Sequence, residues 1–466
     1  MSFFDIIATV FYFILILGVG LIVRGNKSQN PLYRKYFMSG LFVKLFGGLA
    51  FALVYTYYYT YGGDTKTYFH DSSYMVSVFL ESPLDYWRII WASTEQILAD
   101  YYEIQAPLRY NIGTPEWFTV KISSVATLLG LNSYFSTSLI FAGLSYTGIW
   151  NFFRLLCRRY PKAHREIAYA VLFVPSVFFW GSGIMKDSIV IGFLGHLIYY
   201  VDSLISAGVL KRIGSSIIII ICSYIIFEIK PYVLITIIPA IIIWIVMNVR
   251  DGIRNWVVRS LVFPMLLAVS IFGIAYSVTF IGQFSSKYNV DSVFKTAQSM
   301  QSWHYVEGKN TSDQHGRGSS YSLGEYEPDL AGTLKMFIPA VNVTFFRPYL
   351  WEVKNVAMLA AAIESTAIFL FSFFIFLGLG FFRVLRILNK DAFLLMTLSF
   401  AITFGFAVGF TSYNFGALVR YKIPCIPFYL STLVILRHKV KELKQMKAAQ
   451  VRRSSSPTNA SISLEH

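Results

Sequence analysis

The chain has 466 residues, of which 55% are hydrophobic, 18% aromatic and only 14% charged. Soluble domains carry about a quarter charged residues, so this chain lacks the charge to coat a water-facing surface, and a string of soluble domains is excluded. Its net charge of +15 sits in short basic clusters between apolar runs, the pattern of membrane-protein loops, so no nucleic-acid partner is expected.

A spanning helix needs about 20 mostly apolar residues. Such stretches lie near 3–23, 38–60, 135–156, 167–185, 189–207, 213–229, 232–249, 258–281, 356–382, 392–411 and 421–436. They predict an all-α, polytopic transmembrane helix bundle of about eleven spans over residues 1–436. The first run is followed by Arg24 and Lys27 without a small-residue cleavage site, so it reads as a retained span and not as a signal peptide.

Two large loops, 61–134 and 282–355, interrupt the spans. Within the first, residues 117–131 are apolar but only about fifteen long, so they read as re-entrant or interfacial. Phe79, Leu84, Trp87, Ile90, Trp91 and Ile97 recur mostly at helical spacing, with Glu81, Asp85, Arg88 and Glu95 between them. That pattern predicts an amphipathic interfacial helix over 76–104. The second loop is polar and Gly-rich from Lys309 to Gly318 and is expected to close over a site. Residues 437–466 form a basic tail, Ser-rich from Arg453, expected to be a short helix followed by disorder.

Orientation follows from six basic clusters: Arg24 to Lys35, Arg154 to Arg165, Lys211 and Arg212, Arg250 to Arg259, Arg383 to Lys390, and the tail from Arg437. All six fall on one side of the predicted spans. That side is expected to be cytoplasmic, with the N-terminus outside and the C-terminus inside. Cys157, Cys222 and Cys425 lie in or beside apolar runs and read as small core hydrophobes.

With that topology the opposite, outer side collects five polar segments: Tyr61 to His70, Gly181 to Ser188, Glu228 to Tyr232, Phe346 to Glu352, and Asn414 to Lys422. Ionisable residues at the edge of the bilayer are costly and tend to face a cavity or one another. Asp64, after two glycines, can serve as a general base or simply cap a helix starting at Thr65. Lys186 and Asp187 sit in a tight turn between apolar runs. They either meet an anionic ligand or face water. Lys230, before Pro231, binds a phosphate or snorkels. Arg347 and Glu352 bind substrate or pair with each other. Arg420, Tyr421 and Lys422 follow Asn414 and Gly416, an odd segment unless it approaches a ligand, and arginine suits phosphate oxygens. Glu364 either bonds to a neighbouring helix or lines a cavity, while His70 and Asp71 are weaker candidates.

The sequence has no Walker loop, no His pair at metal-ligand spacing, no Gly-x-Ser-x-Gly elbow and no Cys-x-x-Cys. ATP hydrolysis, zinc proteolysis and serine hydrolysis are therefore disfavoured, and no metal or cofactor is expected. A glycosyl transfer on the outer side requires a lipid-linked donor, because nucleotide sugars are not available there.

An Asp-bearing first outer loop followed by an interfacial helix resembles the GT-C class of membrane glycosyltransferases. Ser-Gly-x-x-Lys-Asp at 182–187, Arg-Pro-Tyr-x-Trp-Glu at 347–352 and Asn-Phe-Gly-x-x-x-Arg-Tyr at 414–421 resemble motifs of bacterial Wzy-like and EpsG-like repeat-unit polymerases. The resemblance implies a bacterial inner-membrane polymerase or glycosyltransferase for exopolysaccharide, capsule or O-antigen. Its substrate is a polyprenyl-diphosphate-linked glycan, and its partners are membrane lipid and other polysaccharide-assembly proteins. Asp64 is the implied base, with Asp187 or Glu352 as a second acid. Lys186, Lys230, Arg347 and Arg420 are the implied pyrophosphate contacts, joined by Tyr421 and Lys422. Rival readings are a transporter or flippase for lipid-linked glycans and a non-catalytic envelope scaffold.

Overall fold

A computed structural model describes residues 2–59, 63–206, 208–250, 319–324 and 330–454. These residues form helices and connections, with no β-strand among them and a single isolated bridge between Ser320 and Asn414. The predicted span 258–281 and the Lys309–Gly318 segment lie outside the described residues.

The first half runs α1 (Phe3–Asn26), α2 (Tyr33–Tyr57, its first turn π-helical), α3 (Asp64–Glu81), α4 (Pro83–Trp91), α5 (Thr94–Asp100), α6 (Pro115–Leu129) and α7 (Tyr134–Arg159). Then follow α8 (His164–Leu172), α9 (Pro175–Trp180), α10 (Lys186–Ser206), α11 (Val209–Ile229) and α12 (Pro231–Arg250). The C-terminal part holds Phe337–Phe346, Val356–Leu379, Phe381–Leu388, Ala392–Ser412, Phe415–Tyr421 and Ile426–Ser454, after a short helix Leu330–Lys335. Eight described helices are long and apolar enough to cross a membrane, or nine if Phe415–Tyr421 and Ile426–Met446, bent by 65°, make one broken span. The chain is a multi-pass, all-α membrane protein.

Three predicted elements differ in the structure. The stretch 167–185 is not one span. It divides into α8 and α9 at Val174, which is extended ahead of Pro175, because the proline ring disfavours helical backbone at the preceding residue. The helix predicted over 76–104 is also divided, by Ser82 before Pro83 and by Ser93, both of which cap new helices. Its buried side is Tyr86, Ile89 and Ile97, while Leu84, Trp87 and Trp91 are exposed, so much of the apolar pattern covers the outside. The tail, finally, begins inside the bundle: the helix from Ile426 continues unbroken through Arg437 to Ser454. Residues 115–129 are a 15-residue helix, packed on α3 and α7 and too short to cross.

At the α7–α10 crossing the backbones touch through glycines. A Cβ on Gly148 would lie 1.7 Å from the Gly192 carbonyl oxygen, and one on Gly195 would lie 2.2 Å from that of Gly148. Small residues of this kind let membrane helices approach closely.

The basic cluster from Arg154 to Arg165 meets the start of α2, α10, α12 and the terminal helix at one end of the bundle. Arg154 lies over the Tyr33 ring, and Tyr36 bonds to His164 at 2.7 Å. Arg158 and Arg159 both pair with Asp202, and Arg159 lies over Trp244 of α12. Lys162 pairs with Glu442 at 2.9 Å, and Lys439 with Asp391 at 2.6 Å. Segments far apart in the chain are thereby tied together at this end.

Candidate active site at the opposite end of the bundle

α3 begins where the chain leaves α2. Gly63 has φ of 133°, a backbone conformation that side chains disfavour, and a Cβ there would come within 2.8 Å of Tyr55. Asp64 is the first residue of α3, where a carboxylate complements the helix dipole. Its Oδ2 accepts a hydrogen bond from Arg420 Nη1 at 3.1 Å, joining positions 356 residues apart. Asp64 is 52% exposed and Arg420 16%, so the acid is the accessible partner.

The rest of α3 is pinned to the bundle. Thr65 bonds to the Tyr134 hydroxyl, and Lys66 donates to Thr56 while lying 3.7 Å from the Tyr134 ring centre. Burial pulls the Lys66 ammonium below the ordinary lysine range against the opposing pull of Asp5. Asp71 is fully buried and accepts from the Arg109 and Tyr110 amides and from His70, so it fixes the loop between α5 and α6. That loop lays Tyr110 against Tyr68, ring centres 4.9 Å apart. Burial pushes both phenols well up, and the charges of Asp64 and Glu116 add to it.

Two more ion pairs stand beside Asp64. Lys230 separates α11 from α12, the break being set by Pro231, which starts α12. Its ammonium donates to Asp187 Oδ1 at 2.5 Å and lies 4.6 Å from the centre of the Tyr421 ring. The side chains are 7% and 2% exposed, so Lys230 does not snorkel and Asp187 does not face water. Burial works against the Lys230 charge, yet Asp187, Tyr232 and Tyr421 together outweigh it and the ammonium titrates above the ordinary range. Lys186 donates to Glu116 Oε1 at 2.6 Å, Glu116 standing in the first turn of α6. Asp64, Asp187, Tyr55 and Tyr421 all act electrostatically on Arg420. Asp64, Lys186, Asp187, Lys230, Arg420 and Tyr421 thus gather in one neighbourhood, with each cation on a carboxylate.

The other candidates have different surroundings. Arg347 and Glu352 form a two-pronged ion pair, and Glu352 also accepts from the Tyr349 amide at 2.8 Å; here the structural alternative is the one observed. Asn414 caps the Phe415–Tyr421 helix, its Oδ1 accepting from the Gly416 and Ala417 amides. This explains that segment without a ligand. Lys422 is buried and donates to Ser365 at 3.2 Å.

Behind the cluster Glu364 bonds to a neighbouring helix, one of its two expected roles, and acts together with Lys44, which the sequence did not single out. α9 is six residues long, and its free end groups have no water to bond to inside a bundle. The Glu364 carboxylate accepts from the Ser176 amide at 2.8 Å. At the other end Lys44, 3% exposed in the middle of α2, donates to the Gly181 and Val177 carbonyls at 2.6 and 3.2 Å. An acceptor side chain thus meets one end of a broken helix and a donor side chain the other, and the stretch from Gly181 to Met185 leads directly to Lys186 and Asp187. A lone lysine within an apolar run was the available signal for Lys44. Glu116, after Thr114 and Pro115, carried only a helix-start signature.

No family model, curated protein or solved structure matches the chain.

Proposed function

We propose that this protein is a glycosyltransferase of the outer face of a bacterial cytoplasmic membrane, joining polysaccharide repeat units from a polyprenyl-diphosphate-linked donor. The observation that carries the reading is the pairing of a half-exposed Asp64 with Arg420 next to the buried Lys230–Asp187 pair. In this reading the N-terminus lies outside and the C-terminus inside, which the basic cluster from Arg154 to Arg165 at the other end supports.

The chemistry follows from exchange of partners. A donor diphosphate competes for Arg420, whose planar fork suits phosphate oxygens, and so releases the Asp64 carboxylate. An acceptor sugar hydroxyl attacks the anomeric carbon of the donor. Its proton passes to Asp64 as the new C–O bond forms. The bond from the anomeric carbon to the phosphate oxygen breaks, and the leaving polyprenyl diphosphate takes the electron pair. Arg420 and Lys186, with Lys230 behind them, stabilise the charge that builds on that oxygen. Tyr110 and Tyr421, both partly exposed, supply ring faces for the sugar.

The test is genetic and chemical. Cells lacking the protein accumulate lipid-linked repeat units in the outer leaflet, accessible to an added glycosidase, and the wild-type chain but not Asp64→Asn restores long polymer. A normal polymer in those cells overturns the reading. The broken α8–α9 segment favours one alternative, a flippase, because transporters use discontinuous helices. In that case the units accumulate in the inner leaflet instead.

A further inference from the structure

At the basic end of the bundle a cavity of about 370 Å³ opens between the turn after α7, the Asp391 connection and the terminal helix. Its walls include Tyr160, Lys162, Asp391, His438, Lys439 and Glu442. We propose that this cavity is a binding site for the phosphate of a membrane phospholipid headgroup, at the end of the bundle away from Asp64.

The Asp391 carboxylate accepts from the Leu394 amide, the Tyr160 hydroxyl and Lys439 at once. Glu442 is held by Lys162. Arg159, also on the wall, shares the single carboxylate of Asp202 with Arg158. Arg158, Arg159, Lys162 and Lys439 therefore meet three carboxylates, and each ammonium brings three N–H groups. The local balance is positive before His438 is counted, and the buried Nε2 of His438 has no hydrogen-bond partner, with Glu442 3.9 Å away. A ligand that only accepts hydrogen bonds and carries negative charge complements such a wall, and phosphate does both.

Two features favour a lipid over a soluble phosphate. The helix Phe381–Leu388, which leads into Asp391, leaves Phe381, Phe382 and Leu385 exposed, offering an apolar surface for acyl chains. The cavity also lies where spanning helices end, and basic pockets between helix ends receive lipid headgroups.

The test uses the full chain, purified in detergent and stripped of lipid. Binding of phosphatidylglycerol is followed by native mass spectrometry and by the shift in thermal unfolding, with inorganic phosphate as a parallel arm. Lys162→Gln is the key variant, because Lys162 is 78% exposed and its loss leaves the fold intact; Lys439→Gln is the second. Wild-type protein is expected to bind the lipid, and each variant to bind about tenfold more weakly, the value of one charge-assisted hydrogen bond. Protection by inorganic phosphate but not by phosphatidylglycerol keeps the phosphate site and overturns its lipid occupant. Equal binding of phosphatidylglycerol by wild type and both variants overturns the proposal.

Discussion

The Lys230–Asp187 pair offers a quantitative test of how the site is built. Both side chains are nearly inaccessible and their charged atoms are 2.5 Å apart. At ~4 Å and an effective dielectric of ~20, two unit charges attract by ~4 kcal/mol. Removing one partner leaves the other as a buried charge, which costs about 3–5 kcal/mol. Lys230→Met and Asp187→Leu are each expected to destabilise the protein by about that amount. The double variant Lys230→Met/Asp187→Leu leaves no lone charge and is expected to recover most of the loss, because an apolar pair of similar volume can replace a buried ion pair at little cost. Reversible denaturation in mixed micelles measures all four species, and the expected coupling is about 3 kcal/mol or more. Additive losses, with the double variant at the sum of the singles, would refute the claim that these residues act as one unit. Activity has a separate expectation: the double variant folds but does not elongate polymer.

Three further outcomes follow from other contacts. Asp64→Asn is expected to change stability by less than about 1 kcal/mol, because a pair with one half-exposed partner contributes little, while polymer formation is lost; unfolding curves and polymer length on gels check both. Lys44→Met leaves the Gly181 carbonyl without its donor at about 1–3 kcal/mol, while the Val177 carbonyl keeps the Gly181 amide, and the loss is partly offset by removal of a buried amine. Labelling of a cysteine placed at Met185 should rise as the segment loosens, and unchanged labelling counts against Lys44 as its anchor. Gly148→Leu forces α7 from α10, with a loss of about 1–3 kcal/mol or more from overpacking, and a neutral result in thermal unfolding contradicts the close crossing.

How far the sequence could be read depended on the kind of signal. The spanning helices were legible because lipid demands long apolar runs. The helices observed at 3–26, 134–159, 356–379 and 392–412 match the predicted stretches to within a few residues. The segment 167–185 defeated that rule because its apolarity was uninterrupted. The break came from Pro175 and from partners on other helices, Lys44 and Glu364, which no local window contains. Within the site, the gathering of Lys186, Asp187, Lys230 and Arg420 was foreseen from their common place at helix ends. Which acid meets which base was not: the pairing of Asp64 with Arg420 spans most of the chain. Glu116 was missed because a first-turn glutamate looks like any other helix start. Asn414 and Gly416, read as a loop shaped for a ligand, are a cap and the residue it bonds.

The central claim is that Asp64, freed from Arg420 by the donor diphosphate, takes a proton during sugar transfer. The direct measurement reconstitutes the purified chain in lipid nanodiscs with a polyprenyl-diphosphate-linked glycan and follows release of polyprenyl diphosphate alongside growth of the glycan. The wild-type protein is expected to couple release to growth, and the folded Asp64→Asn variant to lose both. Equal turnover by that variant contradicts the claim.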